Sequence, residues 1–376
     1  MKKSHATRLQ DLLGLLNSNY PQHLAEEWDN VGLQTGDLTQ EISKIMVALE
    51  PTLSTVNRAI STNCQLLITH HPLIFKPLKK ITPSDNTGKI LFHAIRNNLA
   101  IISIHTNLDH AADGLNDWLA ATLHLHNCKP LLQPKSGELL KLVIYVPRVD
   151  ADKVANAIFK AGAGKVGNYD HCSFSSIGVG TFRAGEGCNP HIGSIGTDEQ
   201  VEEVRLETIV TRSRLKRVLE QMEKQHPYEE VAFDLIHIEN VPGDVGLGRI
   251  GVVETKQSLK QFAAVCKQAL NCPALRVVGN EDNSITKVAV CSGSGAMLIH
   301  EAARKGADVL VTGDIKYHEA LTAKELGLTL VDAGHFATEH IMASRLAEKL
   351  TIQSQKRGWE LEYITAPNEI DPFTII

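Results

Sequence analysis

The chain has 376 residues, 43% hydrophobic and 22% charged, with a formal net charge of −5, enough apolar content for full cores and a length that favours two domains. The acidic balance and the absence of any Lys/Arg run argue against nucleic acid as a main partner and against a polybasic membrane patch; no segment approaches the roughly 18 uninterrupted apolar residues of a bilayer span. Seven cysteines, scattered and without a C-x-x-C pair, read as reduced thiols of a cytoplasmic protein.

Met1-Lys2-Lys3 is basic like the start of a signal peptide, but Leu9, Leu12, Leu13 and Leu16 recur at helical period, which predicts a retained amphipathic helix. Glu27-Trp28-Asp29-Asn30 reads either as a cap-and-packing turn or as part of a site. Residues 45–49, 65–69 and 99–104 read as short buried strands. Between the last two, residues 88–97 place Ile90, Leu91, Ala94 and Ile95 on one helical face. Strands alternating with helices imply a mostly parallel sheet.

The middle differs. A strand over 141–146, a helix over 151–161, strands over 171–182 and 203–210, a helix over 213–225 and a strand over 230–238 spell β-α-β twice, a ferredoxin-like α+β pattern. It reads as an insertion, residues 131–245, bordered by the stretch 133–137 and by Pro242-Gly243, so that 1–130 and 246–376 build one split α/β domain. Its loops carry Tyr169, His171, Arg183, His226 and Tyr228, residues of the kind that orient ligands; His171, Arg183 and Tyr228 are taken as substrate-binding candidates at the mouth of the site described next. Beyond the insertion, strands over 287–291, 309–312 and 329–332 alternate with helices over 296–305, 316–326 and 337–350. Gly293-Ser294-Gly295 suits a phosphate-binding turn or a merely tight one, and Gly246-x-Gly248-Arg249-x-Gly251 reads as a structural turn at the re-entry.

Five residues carry the chemistry. His70 and His71 end the strand at 65–69, where Pro72 forbids its continuation; Asp109 follows the next strand; His335 and Glu339 follow the strand at 329–332 with the one-face spacing of a helix. In a parallel sheet all converge at the carboxyl edge, where α/β proteins bind ligands. Nitrogen and carboxylate donors without thiolate suit Zn, Mn or Fe. Five are too many for one tetrahedral catalytic zinc that keeps a water, but suffice for two divalent ions per chain if one carboxylate bridges, and such a pair generates a hydroxide at neutral pH. Glu339 is the expected bridge, with Asp109 the alternative. His105 is taken as a substrate-side residue, His318 as possibly facing substrate, and His110 and His340 as outer donors to the ligands.

Glu27-Trp28-Asp29-Asn30-Val31-Gly32-Leu33-Gln34, Thr69-His70-His71-Pro72, Thr106-Asn107-Leu108-Asp109, Thr312-Gly313-Asp314 and Asp332-Ala333-Gly334-His335-x-x-x-Glu339 together resemble the Nif-three-like family, whose bacterial members are commonly labelled GTP cyclohydrolase 1 type 2 homologues. The resemblance covers nearly the whole chain. It implies a dinuclear metal site on the same five residues, a PII- or CutA-like insertion, and a toroidal homohexamer. One departure is Leu49-Glu50-Pro51, where many members have Asp before the proline.

The leading expectation is a metal-dependent hydrolase acting on a nucleotide or another phosphorylated small molecule through a metal-bound hydroxide. A regulatory or metal-handling module with a ligand-sensing insertion and no catalysis is the alternative, and a protein-binding scaffold the third.

Overall fold

The computed structural model describes residues 6–133, 139–167, 169–238, 244–367 and 369–375. The expected borders at 134–137 and at Pro242-Gly243 lie outside the described residues. Two compact units result, one from 1–133 with 244–376, the other from 134–243.

In the first unit the chain runs through α1 (Leu9–Asn19), β1 (Gly32–Thr35), β2 (Lys44–Ala48), α2 (Leu53–Ser61), β3 (Leu66–Thr69), α3 (Asn86–Arg96), β4 (Ala100–Ser103), α4 (Thr106–His110), α5 (Leu115–Thr122) and β5 (His126–Leu132). Thr52 and Asp85 cap α2 and α3 by accepting from the amides of Thr55 and Gly88, which satisfies donors the helix itself leaves free. Asn63 and Asn98, both with left-handed φ, turn those helices back into β3 and β4.

The second unit holds β6 (Leu139–Pro147), α6 (Ala151–Ala161), β7 (Ser173–Arg183), β8 (Asp198–Thr211), α7 (Arg212–Gln225) and β9 (Phe233–His237). Its sheet has the order β7-β8-β6-β9 and is antiparallel throughout, the split β-α-β arrangement. Val154 and Ile158 of α6 and Val218 and Met222 of α7 pack on Leu140, Leu142, Ile144 and Val146.

The first unit resumes with β10 (Leu247–Ser258), α8 (Leu259–Ala269), β11 (Arg276–Val278), β12 (Ser284–Ser294), α9 (Ile299–Arg304), β13 (Val309–Gly313), α10 (Tyr317–Glu325), β14 (Thr329–Asp332), α11 (His335–Glu339), α12 (Ile341–Lys356) and β15 (Glu362–Thr365). Two sheets form, in the orders β1-β4-β3-β2-β15 and β11-β14-β13-β12-β10-β5. Each takes an edge strand from the opposite flank: β15 joins β2, and β5 joins β10.

The first sheet is parallel except at β1. The second corrects the expectation of mostly parallel sheets, because only β12-β13 and β13-β14 are parallel while β10 and β11 pair antiparallel. Parallel pairing needs a crossover to bring the chain back, and in that sheet only β12-α9-β13-α10-β14 supplies one per strand. The predicted turn around Gly248-Arg249 is likewise a strand, within β10. Arg249 is 1% exposed, donates to both oxygens of Asp117 at 2.6 and 2.7 Å, and binds the carbonyls of Gly246, Gly248 and Ala111.

Both faces of the first sheet are covered. Ile45, Val47, Leu66 and Ile68 pack under Leu9, Leu12, Leu16, Leu346 and Leu350 of α1 and α12, and their alternates Met46, Ala48 and Leu67 under Val56, Ala59, Ile90 and Leu91 of α2 and α3. That double burial accounts for the unbroken apolar runs in the sequence. Among the described residues no helix is long and apolar enough to cross a membrane.

Candidate metal centre

β3, β4 and β14 end where the five expected donors begin. His70 and His71 continue β3, their amides donating to the carbonyls of Ala48 and Leu49. Asp109 lies in α4, directly after β4, and α11 opens on His335 and closes on Glu339. The five come together. His70 Nε2 lies 3.8 Å from Asp109 Oδ1 and 3.7 Å from Glu339 Oε1; His71 Nε2 and His335 Nε2 lie 3.1 and 3.0 Å from Glu339 Oε2 and 3.4 Å from each other.

Each imidazole has its other nitrogen held. His70 Nδ1 is 2.9 Å from the Ile104 carbonyl, His71 Nδ1 is 2.6 Å from Glu50 Oε1, and His335 Nδ1 is 2.7 Å from Asp314 Oδ2. Those acceptors suit an Nδ1–H and turn Nε2 toward the cluster, the usual support of a metal-ligating histidine. Asp109 Oδ1 accepts from Ser292 Oγ at 3.1 Å, and Asn116 donates to the Asp109 carbonyl.

His110 and His340 do not take the outer role expected of them. His110 Nε2 meets Glu26 and His340 Nδ1 meets the Ala337 carbonyl. Glu50 and Asp314 take that role instead; no sequence spacing links them to their histidines, although Glu50 is the residue that departs from the family pattern.

The residues fit divalent cations. His70 Nε2 and Glu339 Oε2 are buried without a hydrogen bond among the described residues, the latter despite two imidazole nitrogens within reach. Two donors each about 2.1 Å from one ion at a tetrahedral angle lie about 3.4 Å apart, close to the spacings observed. The charge balance agrees. Burial pushes the His71 imidazole down, but Glu339 and Glu50 outweigh it and raise it to about 10; at His335 the Glu339 carboxylate outweighs burial and raises it to about 9. Burial opposes ionisation of Glu339, yet His70, His335 and His71 hold its carboxyl well below the ordinary range. The pocket draws positive charge, which protons supply when ions do not.

Gly293 makes room for it. Its φ is +57°, and a Cβ there would sit 2.2 Å from Glu339 Oε1, so any side chain collides with the central carboxylate. The amides of Gly293 and Gly295 donate to the hydroxyls of Thr338 and Thr312; Gly293-Ser294-Gly295 is therefore a packing turn rather than a phosphate cradle.

His105 joins the cluster, its donor atoms within 4.8 Å of those of His70 and His71. Its Nδ1 is 2.9 Å from Asp29 Oδ1. Burial pushes the Asp29 carboxyl up, but His105 and Thr106 outweigh it and hold it at about 2. His318, by contrast, is exposed on α10 and edge-on to Tyr317. In the second unit Arg183 pairs with Asp198, Tyr228 donates to Glu203, His226 lies 3.0 Å from the Tyr145 carbonyl, His171 packs on Phe159, and Tyr169 is exposed.

Two interlocked α/β sheets meeting at histidines and carboxylates define a class of α/β protein with a candidate divalent-metal centre. Residues 7–372 match the family described as Duf34/NIF3 (NGG1p interacting factor 3), and the chain belongs to that family. It is 40% identical over 367 residues to the "GTP cyclohydrolase 1 type 2 homolog" of Bacillus subtilis (strain 168), covering 98% of each chain, and 41% identical over 367 residues to the protein of that name from Halalkalibacterium halodurans, again covering 98% of each. The crystal structure of a Bacillus cereus protein related to NIF3 is similar at a TM-score of 0.79 and 40% identity, over 99% of this chain and 100% of that one.

Proposed function

We propose that this chain is a two-metal hydrolase acting on a nucleotide or another phosphorylated small molecule. The observation that carries the reading is the division of donors around Glu339: His70, itself beside Asp109, faces its Oε1, and His71 and His335 face its Oε2. His70, Asp109 and Glu339 would hold one divalent ion, and His71, His335 and Glu339 a second, each Zn, Mn or Fe. Two such ions supply Lewis acidity and nucleophile activation at neutral pH.

The chain's own residues do the rest. Ile104, Glu50 and Asp314 fix the imidazoles, Ser292 orients Asp109, and Gly293 admits Glu339. His105, oriented by Asp29, offers a nitrogen to substrate beside the cluster. No serine or cysteine nucleophile is needed, since the histidines that would activate one already face the donor cluster. GTP is the first substrate to test, as the names of the relatives suggest: one water would open the ring at C8 to a formamide, and a second would hydrolyse that formamide to formate and an amine. The flanks 1–130 and 246–376 are read as one domain carrying a PII- or CutA-like insertion at 131–245, in a cytoplasmic homohexamer.

Elemental analysis and a substrate screen test the reading together. Two ions per wild-type chain, formate or phosphate release from the loaded protein, and loss of an ion and of turnover in folded Glu339→Gln are expected. Fewer than one ion after reconstitution removes the metal reading. Full loading with no turnover, and a small ligand bound only by the insertion, replaces the enzyme with a sensor.

A further inference from the structure

Two large aromatic side chains stand outside the core beside the cluster: Trp28 is 55% exposed and Phe75 48%. Their ring centroids lie 5.8 Å apart at 47°. The segments that carry them are laced together. Asn30 Nδ2 donates to the Ile74 carbonyl at 2.6 Å, the Ile74 amide donates to Gln34 Oε1 at 3.1 Å, and Gln34 Nε2 donates to the Asn30 carbonyl at 2.9 Å. The pair is thus held in place while forgoing the burial that such side chains ordinarily gain.

From this pair the rings run inward. Trp28 meets His105 at 5.9 Å, and His105 meets His70 at 5.1 Å and His71 at 5.3 Å. Asp29 sets the register, because the residue next to Trp28 in the chain also holds His105 Nδ1 and accepts from the amide and hydroxyl of Thr106. His105 Nε2 makes no hydrogen bond among the described residues, so a donor or acceptor stands free between the exposed rings and the metal ligands.

We propose that Trp28 and Phe75 form a shelf for the planar nitrogen heterocycle of the substrate, a purine or comparable ring, with His105 Nε2 reading a polar atom on the ring's edge. The assignment rests on the two-metal hydrolase reading and narrows its substrate to ring-bearing compounds. Stacking on an aromatic side chain tolerates different rings because each has a π-face, and contributes on the order of tenfold or more in affinity; the edge contact supplies the choice among rings.

The test uses the full-length, metal-loaded protein with guanosine 5′-monophosphate as ring-bearing probe and ribose 5-phosphate as its ring-free counterpart. The nucleotide should quench tryptophan emission; the other two tryptophans, Trp118 and Trp359, are buried and half-buried. Trp28→Ala should raise the nucleotide Kd at least tenfold, leaving ribose phosphate binding, metal content and sedimentation unchanged, and Trp28→Phe should restore affinity to within about threefold without the quench. An unaltered Kd in Trp28→Ala overturns the shelf, and if that variant instead changes the oligomeric state, these rings contact another copy of the chain. Hydrolysis confined to ring-free phosphoesters, or no nucleotide binding by the loaded wild type, also overturns the shelf. The first of these results leaves the hydrolase reading standing.

Discussion

The two units hold their ionisable groups differently. In the first, His70, Asp109 and Glu339 are buried and oriented by neighbours from several strand ends. In the second, Arg183-Asp198 and Arg148-Glu202 pair on the exposed surface, and Tyr228 and His226 bond within their own unit. Groups taken out of water must be compensated or they destabilise the fold, whereas exposed pairs are screened and contribute little. Chemistry is therefore inferred from the first unit, and the polar loops of the second carry no comparable signal.

Substitutions can break or sharpen this contrast. The largest effect is expected at Arg249, whose fully buried guanidinium serves Asp117 and four carbonyls: Arg249→Met should destabilise the first unit by about 3–5 kcal/mol, read by chemical denaturation. A loss under 1 kcal/mol would place this buried pair with the surface pairs.

Acid should act through Asp29. Its carboxyl is depressed from the ordinary 3.8 to about 2 in the fold, so its contribution is complete above the unfolded value and is lost as pH falls from about 4 to 2. About 1–2 kcal/mol should disappear over that window in metal-free protein, and Asp29→Asn should flatten that part of the pH profile. An unchanged profile in the variant contradicts the pairing with His105.

Glu50→Gln should weaken metal binding about 10–100-fold with the fold intact, measured by competition with a chromogenic chelator. Equal affinity would show that His71 needs no carboxylate behind it. The smallest effect belongs to Arg183→Ala in the second unit, whose exposed, screened pair should leave the denaturation midpoint and the metal content unchanged; a clear shift of the midpoint would end the contrast.

Much of this was legible in residue order. His70-His71-Pro72, Asp109 and His335-x-x-x-Glu339 follow apolar strands, and strand ends in parallel sheets converge. The second unit's elements were legible as well, since its β-α-β-β-α-β pattern has clear periodicity. The edge strands were not. β5 runs His126-Asn127-Cys128-Lys129-Pro130 before any leucine, and an edge position tolerates such polarity and a proline. Nor could spacing show that Glu50 and Asp314 stand behind His71 and His335, or that Gly293 backs onto Glu339, because these meetings are made by the packed fold.

The exchange of β5 and β15 between the two sheets sets a timetable. The Leu49 amide waits for Glu369, 320 positions later. At about 5–20 residues per second of synthesis, β2 is made roughly 15 seconds to a minute before β15 can pair with it. His335 and Glu339 emerge late in the same interval, so the histidine pair exists long before a complete set of donors does. Capture of an ion by the candidate centre would thereby be deferred until the chain is nearly complete, and an interrupted product would carry His70 and His71 without the carboxylate that unites the site.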